Sequence, residues 1–189
     1  MNALLDAAFG HPRGVLGRLG GAIMARANRQ QERDAIERAA LTRGEQVLVV
    51  GHGPGIGVEL AAEAVSPGGH VLGVDPSDAM RAMATARCRR FNVDLRAGSA
   101  ERTGCADGSV DVAISVNNVM LWDRRAGFVE LRRVLKPGGR LVISVHRHVL
   151  DVEPERLRDE AEQAGFSTVR LTTRERRHNS PAVELVARR

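Results

Sequence analysis

From residue 46 onward, short apolar runs rich in valine, isoleucine and leucine alternate with longer stretches that mix apolar and charged residues. The short runs predict buried strands, and the longer stretches predict helices with one apolar face. Strands that alternate with helices favour a parallel sheet covered by helices, so the predicted fold class is α/β. We place strands at 46–50, 70–75, 93–97, 110–116 and 140–146, and helices near 56–65, 77–90, 124–135 and 154–164.

Turn-forming residues separate these elements and support their boundaries. Pro154 near the start of the last predicted helix and Gly165 just beyond its end follow the usual preference for proline first and glycine last. The final stretch predicts two strands, 167–173 and 182–187, joined by a charged loop. Clusters of proline, glycine, serine and aspartate predict turns at 66–69, 107–108 and 136–139.

Residues 1–44 precede the first predicted strand and differ from the rest in composition. One face of a predicted helix there is apolar, but five glycines between residues 10 and 21 weaken it. A second helix at about 30–41 is better supported. The segment can be a packing helix or a frayed terminus. The apolar face consists of Leu16, Leu19, Ile23, Met24 and Ala27.

The strand at 46–50 runs directly into the glycine-rich segment Gly51-His-Gly-Pro-Gly-Ile-Gly57. Glycine lets a chain turn sharply and brings bare backbone against a ligand, and the helix that follows would point its first amides at that ligand. The spacing is G-x-G-x-G rather than the G-x-G-x-x-G of dinucleotide-binding proteins, and no lysine follows as in a P-loop. A merely tight turn would need one glycine rather than four.

Asp75 ends the second predicted strand, 24 residues after Gly51. A carboxylate at this place can accept both hydrogen bonds from the 2′,3′-diol of a ribose. Asp75 therefore supports an adenosine-bearing ligand, NAD included, without choosing among such ligands. The alternative is that Asp75 caps the helix after Pro76, although Ser77 and Asp78 are better placed to do so.

Five blocks in a fixed order resemble the class I S-adenosylmethionine-dependent methyltransferases, and most of all the group called methyltransferase type 11. The similarity covers roughly residues 40–189. It implies a Rossmann-like three-layer sandwich with a mostly parallel seven-stranded sheet and a C-terminal antiparallel strand. The blocks are the glycine turn 51–57, Asp75, Gly98–Glu101, Asp107–Asn117 and Leu131–Ser144.

The resemblance also implies the cofactor, the domains and the binding residues. S-adenosylmethionine would bind to a domain at 45–189 and leave as S-adenosylhomocysteine, while residues 1–44 form a helical segment that is a partial lid in similar methyltransferases. The turn would hold the methionyl part, Asp75 the ribose and Met80 the adenine side. The implied cofactor-binding residues are Gly51, His52, Gly53, Gly55, Asp75, Pro76, Ser77, Met80, Ser99, Ala100, Glu101 and Asn117.

Two positions depart from the pattern of similar methyltransferases. Val49 stands where an acid commonly supports the methionine end of the cofactor, and Ser99 stands where an aspartate commonly accepts from the adenine amino group. A missing charged partner would weaken binding by about 1–3 kcal/mol. His52 either compensates in part for the missing acid or only fills space.

Methyl transfer from a sulfonium needs an aligned nucleophile, and it needs a base only when the acceptor carries a proton to lose. His146 and His148 follow the strand at 140–146 and are candidate bases, because histidine takes up a proton near neutral pH. Asn118, Trp122 and His146 are the candidate substrate residues. The alternative is that both histidines lie in an exposed loop and Trp122 in the core. No Asn-Pro-Pro-Tyr-like sequence follows the strand at 110–116, which counts against methylation of the amino groups of bases or glutamine.

Composition limits the partners of the chain. The net charge of +5 allows nucleic-acid binding, yet four Phe, one Trp and no Tyr leave few platforms for stacking bases. No apolar stretch approaches the ~20 residues of a membrane span, and the two cysteines match no zinc pattern. We therefore expect a cytoplasmic protein that acts on a small molecule without a metal.

The leading hypothesis is a methyltransferase that uses S-adenosylmethionine to methylate oxygen or nitrogen of a small organic acceptor. The main alternative is a protein that binds the same cofactor without transferring methyl groups, with a regulatory role or another chemistry. A nicotinamide oxidoreductase shares the fold class but has another glycine spacing. Fold alone does not decide among these.

Overall fold

The computed structural model describes residues 28–176 and 180–189, and within them one sheet organises the chain. Its strand order is β3-β2-β1-β4-β5-β7-β6. All neighbours from β3 to β5 are parallel, whereas β7 runs antiparallel to both β5 and β6. The strands are β1 (Gln46–Val50), β2 (His70–Val74), β3 (Val93–Arg96), β4 (Val110–Val116), β5 (Leu135–His146), β6 (Ser167–Arg174) and β7 (Ala182–Arg188).

Helices cover both faces of this sheet. The first described helix, α1, spans 28–39. The others are α2 (Ile56–Val65), α3 (Asp78–Arg87), α4 (Arg124–Val134) and α5 (Pro154–Gln163), with a short 3₁₀ helix at Val119–Leu121. The predicted Rossmann-like sandwich is therefore confirmed.

The two faces of β1 show why apolar runs predict its place at the centre. Val47 and Val49 pack with α1 and α2 in one buried cluster, whereas Leu48 and Val50 pack with α4 and α5 in another. Successive side chains of a strand point to opposite faces, so a central parallel strand must be apolar throughout. This constraint places the polar residues of the region beyond the end of β1.

The predicted start of β5 is wrong, because the strand begins at Leu135 rather than at residue 140, whereas the other strand ends lie within one residue of the prediction. Leu135 pairs with Val110 and Arg140 pairs with Val112, so residues 136–139 lie in an irregularity within the strand instead of a turn before it. Gly138 has φ +77°, a backbone conformation that glycine adopts without strain. The proline and glycines that predict a turn thus form a bulge.

The described part of the N-terminal segment is docked on the sheet. Ala35 and Ala39 of α1 are buried against the face formed by β1, β4 and β5. Arg38 Nη2 lies 2.6 Å from Glu184 Oε2 of β7, and Gln31 Nε2 donates to Ser144 Oγ of β5. The apolar helix face predicted between residues 16 and 27 lies outside the described residues, so a lid stays a prediction.

A charged network on α4 anchors the loop that follows β3. Both the backbone N–H and the hydroxyl of Thr103 donate to Glu130 Oε1, at 3.0 and 2.7 Å. Arg133 donates to both carboxylate oxygens of Glu130, at 2.7 and 2.8 Å. Burial by itself raises the pKa of Glu130, but these hydrogen bonds outweigh burial and hold the pKa at about 2.

We expect Glu130→Gln to lower the free energy of unfolding by about 1–3 kcal/mol at pH 7, because hydrogen bonds to a charged group are lost. The folded pKa lies below the unfolded value, so this stabilisation is present above about pH 4.5 and lost as the pH falls towards 2. Urea unfolding at pH 7 and pH 3 measures this effect. The difference in the free energy of unfolding between variant and wild type should be smaller at pH 3 than at pH 7.

The matched control for this variant is Glu63→Gln, which removes the exposed ion pair between Glu63 and Arg90. Exposed pairs contribute little to stability, so we expect no measurable change at either pH. Equal changes in the free energy of unfolding for Glu130→Gln and Glu63→Gln would contradict a stabilising role for the hydrogen bonds between Thr103 and Glu130.

Candidate active site

The strand order reverses between β1 and β4, and the carboxyl ends of these two strands form a crevice. Ligands of open α/β sheets bind at such a switch point. The glycine turn lies there between β1 and α2, with positive φ at Gly51 (+60°), Gly53 (+52°) and Gly55 (+87°). The chain therefore needs glycine at three alternate positions to enter α2 at this angle.

The three glycines face different surroundings. A Cβ on Gly55 would lie 2.7 Å from Cβ and 2.8 Å from Cα of Ala84 in α3, and a Cβ on Gly51 would overlap the Asn118 amide. A Cβ on Gly53 would meet nothing within 4 Å. Gly51 and Gly55 thus permit close packing, whereas a Cβ on Gly53 would project into open space.

Asp75 closes the turn from the neighbouring strand. Its Oδ2 accepts from the Gly53 N–H at 2.8 Å, and its Oδ1 accepts from the Ser77 N–H at 2.9 Å. The carboxylate is buried, and Ser77, rather than Asp75, caps α3 through Met80 N. Each carboxylate oxygen keeps a further lone pair, so Asp75 can fix the turn and still accept from a ribose diol.

His52 fills the space beneath the turn. Its ring is buried, Nδ1 lies 2.7 Å from the Gly53 carbonyl and so donates to it, and Nε2 has no partner in the described structure. Burial lowers the pKa of His52, although Asp75 opposes this. A neutral imidazole does not replace the charge of an acid at Val49. Of the two predicted roles for His52, the geometry favours the filling of space.

The loop after β3 approaches the same crevice. Ser99 and Arg102 exchange backbone hydrogen bonds of 3.2 and 3.3 Å, which form a tight turn around the buried Ala100. Glu101 Oε1 accepts from the N–H of Asp123, the residue that caps α4. Glu101 therefore positions the start of α4. Pro76 is exposed and Met80 is buried, and a contact of either with the cofactor stays a prediction.

Two asparagines after β4 hold the crevice together. Asn118 is buried, its Nδ2 donates to the Val50 carbonyl at 2.7 Å and to the Gly51 carbonyl at 3.2 Å, and its Oδ1 accepts from Ser115 Oγ. We predicted Asn118 as a substrate residue, but these bonds give it a positioning role beneath the turn. The Asn118 side chain points towards β1 instead of into the opening of the crevice.

Asn117 connects β4, β5 and α1. It has φ +55°, its Nδ2 donates to Gln31 Oε1 at 3.0 Å, and its Oδ1 accepts from the His146 N–H at 2.9 Å. Its side-chain amide is thus engaged with the protein, and the predicted contact with the amino group of the cofactor stays a prediction.

His146 lies beside Asn117 at the end of β5, partly buried. Its Nδ1 lies 3.4 Å from Arg176 Nη1 and its Nε2 lies 3.3 Å from Asn28 Oδ1. Arginine only donates, so Nδ1 carries the lone pair and Nε2 the proton. Burial, Arg176 and His148 lower the pKa of His146.

His148 and Trp122, the other two candidates for catalysis or substrate contact, have surroundings that differ from those of His146. His148 is exposed, with its ring centroid 5.4 Å from that of His146. Trp122 packs edge-to-face on Phe128 at 6.3 Å and lies against Gly127, so it is partly a core residue. The alternative of a core role for Trp122 is therefore favoured.

Sequence reasoning missed the contribution of α1 and of the segment after β6. Asn28, Gln31 and Glu32 come from α1, and Arg176 follows β6. Gln31 is buried, and its Oε1 accepts from both Asn117 and Arg176. Gln31 shares one face of α1 with the buried Ala35 and Ala39, and a polar residue on that apolar face is the signal that could have indicated this contribution.

Fold and site together define a Rossmann-like α/β protein with a crevice built for an adenosine-bearing cofactor. A methyltransferase domain matches residues 48–143, which is half of the chain. The chain is 33% identical over 159 residues to an uncharacterized methyltransferase, YdaC, of Bacillus subtilis, covering 80% of this chain and 87% of YdaC. The chain therefore belongs to the S-adenosylmethionine-dependent methyltransferases, and the predicted family, enzyme class and cofactor are confirmed.

More distant relatives match only in part. An arsenite methyltransferase of Halobacterium salinarum is 42% identical over 56% of this chain and 28% of its own length. A demethylmenaquinone methyltransferase of Tropheryma whipplei is 36% identical over 61% of this chain and 48% of its own length. The chain thus spans less than half of these two enzymes.

The fold recurs in solved structures. A methyltransferase from Aquifex aeolicus superposes with a TM-score of 0.76 at 18% identity, covering 90% of this chain and 97% of that one. At this identity the likeness shows the fold alone.

The residues present fit S-adenosylmethionine. Gly53 leaves room for a ligand beside bare backbone, and the buried Asp75 carboxylate keeps acceptor capacity for a diol. Across residues 28–176 and 180–189, no cluster of His, Cys, Asp and Glu suits a metal ion, and no helix is long and apolar enough to cross a membrane.

The different surroundings of the glycines predict that binding and stability can be separated. Gly53→Ala should lower the free energy of unfolding by about 1–2 kcal/mol, the cost of positive φ for alanine. Gly55→Ala should cost a further ~1–3 kcal/mol because its Cβ meets the α3 backbone. Urea unfolding without ligand measures both.

Calorimetry with S-adenosylhomocysteine should then show Gly53→Ala as the variant that folds but binds weakly, because its methyl group takes space on the ligand side. If Gly53→Ala binds as wild type does, the cofactor does not lie against this part of the turn.

Proposed function

We propose that this methyltransferase acts on oxygen or nitrogen of a small organic acceptor that loses a proton or carries a negative charge. The single observation that carries the proposal is the neutral, partly buried imidazole of His146 at the carboxyl end of β5, with the Arg176 guanidinium next to it. The imidazole can take a proton, and the guanidinium favours the anion that is left.

The methyl donor supplies an activated methyl group and a neutral thioether as leaving group. The chain has to hold the acceptor in line with that group and exclude water, and positioning of this kind can supply up to ~7–11 kcal/mol. Gly53 and Asp75 would hold the cofactor, and His146 would take the acceptor's proton on Nδ1. The His146 contacts of 3.3 and 3.4 Å are long for hydrogen bonds, so an acceptor can displace them.

The cysteines do not support arsenite as the acceptor. Arsenic(III), as a soft centre, prefers thiolate ligands. Cys88 is buried in the cluster with α1 and α2, whereas Cys105 packs against the cluster on the other face of the sheet. Burial raises the pKa of the Cys88 thiol to about 11 and also raises that of Cys105. The two thiols lie in clusters on opposite faces of the sheet, so they cannot bind arsenic jointly.

The acceptor class can be tested with S-adenosylmethionine and panels of phenols, carboxylic acids, amines and quinones, by measuring release of S-adenosylhomocysteine. We expect turnover with a hydroxyl, carboxylate or amine acceptor. Turnover with quinones alone, or with RNA or protein and no small molecule, would contradict the proposal. The thiols of Cys88 and Cys105 are free, which accords with the cytoplasmic location that we also propose.

His146→Gln should lower kcat with such an acceptor by about 10²–10⁴-fold, the contribution typical of a general base. The folded pKa of His146 lies below its ordinary value of 6.5, so the wild-type rate should fall in acid with a midpoint below pH 6.5. The variant should lack this step in its pH profile.

The control is His148→Gln, which changes the exposed neighbour of His146. We expect at most a small change in kcat and a pH step that moves slightly, since His148 contributes to the lowered pKa of His146. Equal rates and equal pH profiles for His146→Gln and wild type would rule out the proposed base.

A further inference from the structure

Glu32 of α1 reaches the start of α2 behind the glycine turn. Its Oε2 lies 2.5 Å from the point that a Cβ on Gly57 would occupy, and Val49 Cγ1 lies 3.8 Å from the same point. The carboxyl group therefore takes space that exists only because residue 57 has no side chain. The neighbouring Gln31 holds this part of α1 against Ser144 and Asn117.

The Glu32 carboxyl group has no hydrogen bond and no ion pair with any residue in 28–176 or 180–189. Burial raises the pKa of Glu32 to about 8. Two other acids of these helices have cationic partners: Asp34 of α1 pairs with Arg174 and Arg176, and Glu59 of α2 pairs with Arg87.

Glu32 is partly buried, and its carboxyl group has no partner among the described residues. A partly desolvated acid without a partner favours a cation that can reach it. The cofactor brings two cationic groups, a sulfonium and the ammonium of its methionine part. The sulfonium has to face the acceptor, whereas the ammonium lies at the end of the molecule remote from the ribose. Asp75 on the β2 side of the turn suits the ribose, which leaves the far side of the turn, towards β4 and α1, for the ammonium.

We propose that Glu32 binds the ammonium group of the methionine part of S-adenosylmethionine and supplies the acid that is absent at Val49. The inference rests on the cofactor site described above. Binding then converts a neutral carboxyl group into a carboxylate paired with the ligand ammonium, and the proton that Glu32 loses passes to the buffer.

Calorimetry of S-adenosylhomocysteine in buffers of different ionisation enthalpy counts this proton. Because the pKa of Glu32 is about 8 in the free protein, we expect release of a large part of one proton per ligand at pH 7 and little release near pH 9.5. Glu32→Gln keeps the shape of the protonated acid, so it should release almost none. It should bind the ligand about 10- to 150-fold more weakly.

5′-Methylthioadenosine, which lacks the aminoacyl part, is the matched ligand control and should bind wild type and Glu32→Gln equally. Its binding also reports that the variant is folded. Glu37→Gln, an exposed position on the same helix, is the matched protein control and should bind S-adenosylhomocysteine as wild type does.

Three results would overturn the proposal. Wild type could bind S-adenosylhomocysteine without releasing a proton at pH 7, a result that needs no variant. Glu32→Gln could lose affinity equally for both ligands, which would make Glu32 a structural residue. Wild type could bind neither ligand, in which case the cofactor site itself would be wrong and the role of Glu32 with it.

Discussion

The site depends on polar side chains that other strands contribute to the glycine turn. The turn has few side chains of its own to hold its shape, namely those of His52, Pro54 and Ile56. Asp75 after β2 accepts its Gly53 N–H, and Asn118 after β4 donates to the carbonyls of Val50 and Gly51. Because both partners are buried and bonded, the turn is fixed before a ligand arrives, and a preformed site avoids the cost of ordering it on binding.

The same arrangement explains how the fold leads to the chemistry. The sheet brings the ends of β1, β2, β4 and β5 to one edge, so residues far apart in sequence meet around one crevice. Asp75 faces it from one side, and Asn117 and His146 face it from the other. Cofactor and acceptor can therefore lie side by side, which is the requirement for direct transfer of a methyl group.

Much of the fold could be predicted because local patterns decide it. The strands at Gln46–Val50 and Val110–Val116 have the predicted bounds, since runs of apolar residues buried on both faces fit few other structures. Residues 136–139 could not be read correctly, because proline and glycine suit a turn and a bulge equally well. Only the pairing of Leu135 with Val110 decides between them.

The candidate site was predictable where backbone geometry or a strand end fixes the residue, as at Gly51, Gly53 and Asp75. It was not predictable where the role of a residue depends on the direction in which its side chain points. Asn117 and Asn118 are adjacent in sequence, yet one joins α1 to β5 and the other lies beneath the glycine turn. Glu32 is one of many charged helix residues in the sequence, and only the docking of α1 brings it to Gly57.

The glycine turn and Asp75 together form the site that we assign to S-adenosylmethionine. The most direct measurement is calorimetric titration of wild type and Asp75→Ala with S-adenosylhomocysteine and with NAD. We expect wild type to bind S-adenosylhomocysteine and not NAD, and Asp75→Ala to lose this binding. Failure of wild type to bind S-adenosylhomocysteine, or equal binding by Asp75→Ala, would contradict this assignment.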